Sequence, residues 1–523
     1  MRLRHLSWGH PGKTSARKGH TGLDAAGAER PNHVPPLAAR DEATYLLNIG
    51  AEIEHALMVQ YLYAAYSLEP KRFSGERAEI VSRWRQTILE IAREEMGHLA
   101  TVQNLLRLIG EPLTLDRSEF PFATSLYPFE FRLEPLSVGS LAKYVVAEMP
   151  PGLNDPEIRR IRRLAKAGNV GMPVNRVGSL YAQVGRLFEK ISDEDLGKDS
   201  LGFQARGSEW GLGYKHILIL NAGNRAEARA AIDAIAEQGE GVLTAPKSCN
   251  DMPADSHFAR FLKIFREFPK GGQWRPAVQT PIHPNLCEPG ATNNWSKNME
   301  AGRITHEETR LWAQLSNRRY RMLLMFLSHA LHLETPLDAG DKPTTRGLLL
   351  TWTFGEMYNL RSLAGFLIHM KLKEGQRDSD RRVAGLPFEL PFSLQLPERE
   401  IDRWRLNRDL LQASMSLTAE IAKISAGLDG AGVFLRSMRE ADQAALAIAL
   451  SLIDQNSPVS AVRSAKSKVA RGVTQSRAAW TAEALAHRPA PNAPPTTRAA
   501  RVLRNARYLE RAGRRASSGR DPE

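Results

Sequence analysis

The sequence of 523 residues contains only two cysteines, Cys249 and Cys287. Two cysteines are too few for a disulfide scaffold or for a four-cysteine zinc site. No run of about 18 apolar residues occurs, which argues against a membrane-spanning helix. The best candidate, residues 322–333, contains one serine and two histidines. The basic N-terminal residues are not followed by an apolar segment, so we expect no secretory signal and a cytoplasmic protein.

The overall composition is that of an ordinary soluble globular protein, with 42% hydrophobic and 25% charged residues. This composition excludes fibrous, collagen-like and wholly disordered classes. At about 150 residues per domain, the length allows about three domains or one large body with extensions.

The net charge of +13 is concentrated at the two ends of the chain. Residues 461–523 contain 14 Lys and Arg against four Asp and Glu, and residues 1–40 contain seven against two. The middle of the chain therefore carries a charge of −2, which excludes a basic nucleic-acid-binding face there. Basic, Ala/Pro-rich ends are typical of solvated, disordered segments. The alternative is a weak electrostatic contact of the tail with nucleic acid or an anionic membrane.

Helical periodicity begins near Asp41, and few stretches alternate with a period of two, so the predicted fold class is mainly α. We divide the chain into a flexible basic leader (1–38), a metal-binding bundle (39–270), an additional helical region packed on that bundle (271–460), and a mostly disordered tail (461–523). Helices are predicted at about 41–69, 78–109, 138–148, 157–167, 177–192, 226–238, 256–268, 304–334, 342–373, 399–425 and 435–455.

Glu54 lies on the apolar stripe of the first predicted helix. Residues three, four and seven positions apart share one helical face, and those around Glu54 are apolar or aromatic, so we expect its carboxylate to be buried. Tyr61 could line a pocket on the same face or donate a hydrogen bond there, but it could equally be a core tyrosine. The residues three, four and seven positions from Glu54 are Leu47, Gly50, Ala51, Leu57, Met58 and Tyr61.

Glu95 occupies the equivalent place on the second predicted helix, and His98 follows it one turn later. The adjacent Glu94 has a more polar set of helical neighbours, including Thr87, Glu90 and Thr101. We therefore expect Glu95, rather than Glu94, to point into the core. The helical neighbours of Glu95 are Ile88, Ile91, Ala92, His98, Leu99 and Val102.

Buried acids on two consecutive helices require a shared positive partner, because an unpaired buried carboxylate is costly or takes up a proton. A metal ion satisfies this requirement, and Glu-x-x-His is the ligand spacing of carboxylate-bridged metal centres in helical bundles. Pairing with Arg93 or Arg107 is the alternative, although both lie on other faces of their helix. A Glu-x-x-His on its own is a weak signal, and it is the apolar surroundings that favour the metal.

Ligands from a second helix pair are less well defined by the sequence. Glu240 and His257 are candidates, but 17 residues and a loop separate them, so helical spacing does not link them. Glu240 could instead be a polar helix end, and His257 could cap a helix. Glu148, which closes an apolar helix, is a weaker candidate.

Four sequence blocks, in the same order, resemble the ferritin-like domain of the iminophenyl-pyruvate dimer synthases, enzymes of violacein- and rebeccamycin-type biosynthesis. The resemblance is strong over about 40–270 and fainter to about 393, with weaker similarity at 317–320 and 384–388. The four blocks are Glu54–Ala64, Glu94–Pro112, Gln238–Gly241 and Ser256–Phe261.

This resemblance implies a ferritin-like four-helix bundle with a non-haem metal site. It also implies that Glu54, Glu95, His98, Glu240 and His257 are metal ligands. Carboxylate and imidazole ligands favour iron, in a mono- or dinuclear site, with manganese or zinc as alternatives.

Two departures from the family pattern bear on function. The pathway synthases are much longer and carry a separate N-terminal half, where this sequence has only a short basic leader. Ala254 stands three residues before His257, where a second Glu-x-x-His would require an acid. Asp255 is the substitute that the sequence offers, and the other solution is a mononuclear or asymmetric site.

Three functional hypotheses follow. The first is a metal-dependent oxidase or oxidative-coupling enzyme of secondary metabolism that acts on an amino-acid-derived imine or a related small molecule. The second is a ferritin-like protein that binds metal without organic chemistry. The third is a nucleic-acid-associated protein that acts through its basic tail. The extra helices after residue 270 favour the first, because a simple ferritin-type bundle does not need them.

The two basic ends are predicted to be dispensable for folding, since they lack periodic apolar faces and should bury little area. A protein of residues 39–460 should unfold within a few degrees of the full chain, measured by differential scanning calorimetry. A large drop in its melting temperature would show that the ends pack on the body.

Overall fold

The computed structural model describes residues 37–454, except 124–125, 211–216, 242–245, 247, 291–294, 335–343, 391–393 and 426–427. The predicted tail and nearly all of the predicted leader lie outside the described residues. No helix in the described part is both long enough and apolar enough to cross a membrane.

The described part of the chain is α-helical, as the sequence predicts. Its β-structure consists of isolated bridges, with no extended strand among the described residues. The helices are α1 (Ala39–Tyr66), α2 (Gly75–Leu108), α3 (Val138–Ala147), α4 (Pro156–Gly168), α5 (Gly178–Phe188), α6 (Arg225–Glu240), α7 (His257–Glu267), α8 (Lys297–Gly302), α9 (Glu307–Leu331), α10 (Thr345–Leu367), α11 (Glu400–Ile424) and α12 (Ala431–Asp454).

These helices fall into two compact units. The first unit contains α1 to α8 and the segment Gln376–Gly385, and the second contains α9 to α12 with the short 3-10 turn Gly207–Trp210. The first unit therefore runs past residue 270 to Arg303. The division at 270 and the packing of 271–460 on the bundle stay predictions.

The long helices α1 and α2 form the centre of the first unit. They pair in antiparallel register, because Arg40 donates two hydrogen bonds to the carbonyl of Ile109 at one end, while Glu54 lies near Glu95 in the middle. Helix α5 packs on α1, α6 packs on α5 and α2, and α7 packs on α3 and α2. Apolar faces turned toward α1 and α2 thus enclose the middle of both long helices.

The second unit is built from α9 to α12. Helix α9 packs on α10 and α11, and α11 packs on α12. Its centre holds a buried charge cluster in which Arg319 bonds Glu356 at 2.9 Å and Asp442 at 2.8 Å. Breaking such a buried pair leaves an uncompensated charge, so this cluster fixes the relative positions of three helices.

Helix α2 can approach the segment after Ile217 closely because residue 97 is a glycine. A Cβ atom at Gly97 would lie 2.5 Å from Ile217 Cγ2 and 2.6 Å from the carbonyl oxygen of Leu218. Asn104, two turns later, donates hydrogen bonds to the carbonyls of Ala205 and Leu220. The segment is therefore held against α2 beside His98.

Gly97→Ala should lower the free energy of unfolding by roughly 1–3 kcal/mol, because the added methyl group overpacks this contact. Gly365→Ala is the matched control: Gly365 lies within α10, and its Cβ would meet no atom within 4 Å. That substitution should stabilise the protein by up to about 1 kcal/mol through helix propensity. Urea denaturation of both variants measures the difference, and equal effects would contradict the close contact at Gly97.

Candidate metal centre

Glu54, Glu95 and His98 come together midway along the α1–α2 pair. Their relative exposures are 1%, 2% and 2%, as the apolar stripes of the two helices predict. His98 Nδ1 lies 2.9 Å from Glu95 Oε2 and 3.6 Å from Glu54 Oε2. One ligand atom from each of the three residues lies within 4.8 Å of the others, so a single ion could contact all three.

A second group of buried ligands lies beside the first. It consists of Glu95 again, Glu148 at the C-terminal cap of α3, and His257 at the first position of α7. His257 Nδ1 lies 3.0 Å from Glu95 Oε1 and 3.6 Å from Glu148 Oε2. Their ligand atoms also lie within 4.8 Å of one another.

Glu95 belongs to both groups, and its two oxygens face different histidines. Oε2 faces His98, and Oε1 faces His257. The two imidazole rings stack with their centroids 5.4 Å apart. This arrangement has the form of a bridging carboxylate between two ligand groups, as in the carboxylate-bridged centres of helical bundles.

Several ligand atoms in these groups lack the partners that burial demands. Glu54 Oε2, Glu95 Oε1 and His257 Nδ1 are buried and form no well-aligned hydrogen bond among the described residues, and the atoms that they face belong to the same two groups. Orphaned buried polar atoms are rare, because each costs about 1–3 kcal/mol. All three point into the two groups, so the residues present fit a metal ion, and carboxylate oxygen with imidazole nitrogen suits iron, manganese or zinc.

Two buried tyrosines hold the carboxylates that belong to one group only, Glu54 and Glu148. We call these two the terminal carboxylates, and the oxygen of each that bonds a tyrosine its outer oxygen. Tyr181 of α5 donates a short hydrogen bond to Glu54 Oε1, and Tyr61 donates to Glu148 Oε1 at 2.6 Å. In each carboxylate the other oxygen, Oε2, faces a histidine. Tyr61 therefore makes the hydrogen bond that the sequence offered as one of its alternatives.

The far side of each imidazole ring is held by a different residue. His98 Nε2 lies 2.8 Å from Gln238 Oε1, and His257 Nε2 lies 2.9 Å from Glu94 Oε2. Arg260 pairs with Glu94 in turn. These contacts orient both rings with Nδ1 toward the carboxylates, as outer hydrogen bonds commonly orient metal-bound histidines.

The electrostatics of the groups reflect burial and crowding of like charges. Burial, and then the charge of Glu95, raise the pKa of Glu54 well above its usual value. Burial opposes the charged form of both histidines, yet the neighbouring carboxylates outweigh it and raise the pKa of His98 and of His257. Without a metal, the centre thus holds protons that a bound cation would displace.

Glu240 and Asp255 lie outside both groups. Glu240 is buried at the end of α6, where Arg176 donates to both of its oxygens at 2.7 Å. Burial raises the pKa of Glu240 to about 7 although Arg176 lowers it. Asp255 is exposed. Glu148, the weaker candidate, belongs to the second group and Glu240 does not.

Sequence reasoning missed the residues behind the rings. Glu94 was assigned to a polar face although it opens the block Glu94–Pro112, and Gln238 lies 140 residues from the ring that it contacts. Gln238 stood beside Glu240 in a family block, which is the one signal that could have indicated it. Arg260 also lies in a matched block, Ser256–Phe261.

The part of the chain that contains both ligand groups is similar to known proteins. Residues 47–266 match the family described as Ferritin-like. The chain contains a ferritin-like domain. Both ligand groups described above lie within the matched residues, and this part of the chain has the ferritin-like fold.

Two curated relatives establish distant homology to a group of synthases and dimerases. The chain is 28% identical to dichlorochromopyrrolate synthase of Lentzea aerocolonigenes over 339 residues, which are 56% of this chain and 31% of the relative. It is 27% identical to 2-imino-3-(indol-3-yl)propanoate dimerase of Chromobacterium violaceum over 284 residues, which are 46% of this chain and 25% of the relative. The chain thus matches less than a third of the length of either relative.

A solved structure of a ferritin-like protein from Caulobacter vibrioides also aligns with the chain. It is 15% identical, with a TM-score of 0.37, and the alignment covers 64% of this chain and 97% of that one.

Glu95→Gln should reduce bound metal to a small fraction of the wild-type amount, because it removes the one charge that both groups share. Metal-dependent stabilisation should be lost with it. The metal-free variant should also be less stable than the metal-free wild type, because, against the effect of burial, His257 and His98 hold the pKa of Glu95 below its usual value and would lose their counter-charge. Elemental analysis and calorimetry of identically purified proteins measure both effects.

Glu52→Gln is the matched control for this substitution. Glu52 is a partly buried carboxylate on α1 whose pKa is raised by burial, and it accepts hydrogen bonds from Ser118 and Tyr127 rather than facing the groups. Its metal content should equal that of the wild type. Equal metal content in Glu95→Gln and wild type would rule out Glu95 as a ligand.

Glu94→Gln should weaken metal binding by about 10–100-fold through the orientation of His257, without removing a ligand. Glu94 lies on the more polar face of its helix, but it contacts His257. We therefore do not expect this substitution to be neutral. Metal titration with a competing chelator measures the affinity. An unchanged affinity would mean that His257 does not need Glu94 to hold its position.

Proposed function

We propose that the protein is a non-haem metal-dependent oxidoreductase, with iron in a dinuclear centre, that acts on an amino-acid-derived imine or a related small molecule. The observation that carries this proposal is the placement of Glu95 between two buried groups, each with its own histidine and its own terminal carboxylate.

The donor set supports two metal positions that share Glu95. Glu54, Glu95 and His98 would hold one ion, and Glu95, Glu148 and His257 would hold the other. Three protein ligands for each ion leave coordination positions open, which a catalytic site requires and a purely structural site does not. Bound iron would supply redox chemistry with dioxygen or peroxide as the oxidant.

The chain's own residues would prepare the site for this chemistry. Tyr181 and Tyr61 hold the outer oxygens of Glu54 and Glu148, so each carboxylate keeps one oxygen for a metal. Gln238 and Glu94 hold the two histidine rings. Ligands fixed in this way lose little freedom when metal binds, and buried walls keep bulk water away from reactive species.

The class of substrate is supported by the two curated relatives. One is named 2-imino-3-(indol-3-yl)propanoate dimerase, and the other dichlorochromopyrrolate synthase. Oxidative coupling of two such imines removes two electrons and two protons, which dioxygen or peroxide would accept. Because the chain matches less than a third of either relative, its own substrate need not be the same indole compound.

To test the proposal, the full chain is loaded with iron and supplied with an imine. An amino-acid oxidase generates this imine in the assay from tryptophan or phenylalanine. We expect oxidant-dependent loss of the imine and a coupled or oxidised product, measured by mass spectrometry. Glu95→Gln should abolish this activity, whereas Glu52→Gln should retain it.

The outcome that contradicts the proposal is a protein that binds iron as expected but oxidises neither imine. That result would favour the second hypothesis, a ferritin-like protein that binds metal without organic chemistry. A protein that binds no metal at all would contradict both.

A further inference from the structure

An arginine-lined cavity lies at the other end of α2, away from the metal centre. Its volume is about 640 Å³, and Arg72, Arg77 and Arg275 contribute to its lining together with Phe73 and Trp274. Arg77 and Glu95 are 18 residues apart on one helix, which at 1.5 Å per residue separates them by about 27 Å. The cavity is therefore distinct from the candidate metal centre.

The cavity carries three positive charges and no carboxylate in its lining. None of the three guanidinium groups forms an ion pair with a residue that the structure describes. The acid beside the neighbouring Trp84, Glu267, is already occupied, because it accepts hydrogen bonds from Arg83 and from Trp84 Nε1. All three side chains are exposed, so solvent screens much of their mutual repulsion, and an anion in the cavity would remove the rest.

Aromatic rings hold two of these guanidinium groups in place. Arg72 lies over the ring of Phe73 at 5.6 Å, and Arg77 lies over the ring of Trp274 at 5.5 Å. Trp274 is itself fixed by stacking on Trp84, with ring centroids 5.7 Å apart. A guanidinium that stacks on a ring keeps its N–H groups at the edge, free to bind a carboxylate or phosphate in bidentate fashion.

Trp274 provides an independent indication of a missing acceptor. Its Nε1 atom is shielded from solvent and has no hydrogen-bond partner among the described residues. Buried indole N–H groups nearly always find an acceptor. Arg77 also stands in the first turn of α2, a helix of 34 residues, where unpaired backbone N–H groups favour negative charge.

We propose that this cavity is an oxyanion-binding site for a small molecule that bears a phosphate or a carboxylate group. Arg72, Arg77 and Arg275 would bind the anionic oxygens, and Trp274 Nε1 would donate a hydrogen bond to the same ligand. This site is independent of the proposed redox function, because none of its residues belongs to either metal-ligand group.

Calorimetric titration of the full chain with inorganic phosphate and, separately, with phenylpyruvate tests the proposal and distinguishes the two ligand chemistries. We expect saturable binding of at least one probe with a dissociation constant on the order of 1 mM or below at low salt, weakened by added sodium chloride. The double variant Arg72→Gln/Arg77→Gln should bind at least about tenfold more weakly, because two charge-assisted contacts are lost.

Two further variants make the test specific. Trp274→Phe keeps an aromatic ring for Trp84 and Arg77 but removes the N–H, and should weaken binding by about three- to tenfold. Arg163→Gln, an exposed arginine on α4 outside the cavity, should leave binding unchanged. Absence of binding by both probes would overturn the proposal, and so would binding that the double variant retains in full.

Discussion

The structure of the first unit depends on one carboxylate with two neighbours. Glu95 is buried, cannot reach water, and turns one oxygen toward His98 and the other toward His257. A buried charge of this kind is tolerated only with compensating positive charge, from protonated histidines or from metal. That requirement connects helices that are far apart in sequence, because α2 must meet the start of α7 and the end of α3 at the same point.

Hydrogen bonds from surrounding residues hold the side of each terminal carboxylate and of each imidazole ring that faces away from the other ligands. Tyr181 and Tyr61 hold the outer oxygens of Glu54 and Glu148, and the inner oxygens face the histidines. The two halves of the centre differ behind the rings, because His98 is backed by a neutral amide and His257 by the Glu94–Arg260 pair. The pseudo-symmetric ligand set is therefore placed in an asymmetric electrostatic environment.

The second unit satisfies its buried charges within the protein, in contrast to the first. Arg319 meets both Glu356 and Asp442, and Asn359 adds a hydrogen bond to Glu356. In the ligand groups of the first unit, Glu54 Oε2, Glu95 Oε1 and His257 Nδ1 form no well-aligned hydrogen bond with any residue that the structure describes. The two clusters thus differ in one respect: the cluster of the second unit contains its own cation, Arg319, and the ligand groups of the first unit leave room for one.

The sequence by itself determined the helices and the inward direction of Glu54, Glu95 and His98, because helical periodicity is local and each residue is judged by neighbours within two turns. The predicted starts of α1 to α7 and α9 to α12 agree with the structure within four residues, and the predicted ends within six. Only the tertiary structure decided that Glu148, rather than Glu240, faces His257, and that Gln238 and Glu94 hold the rings. Those contacts join residues about 110 to 160 positions apart, and no local pattern shows which distant partner a side chain meets. Both oxygens of Glu240, for example, accept hydrogen bonds from Arg176.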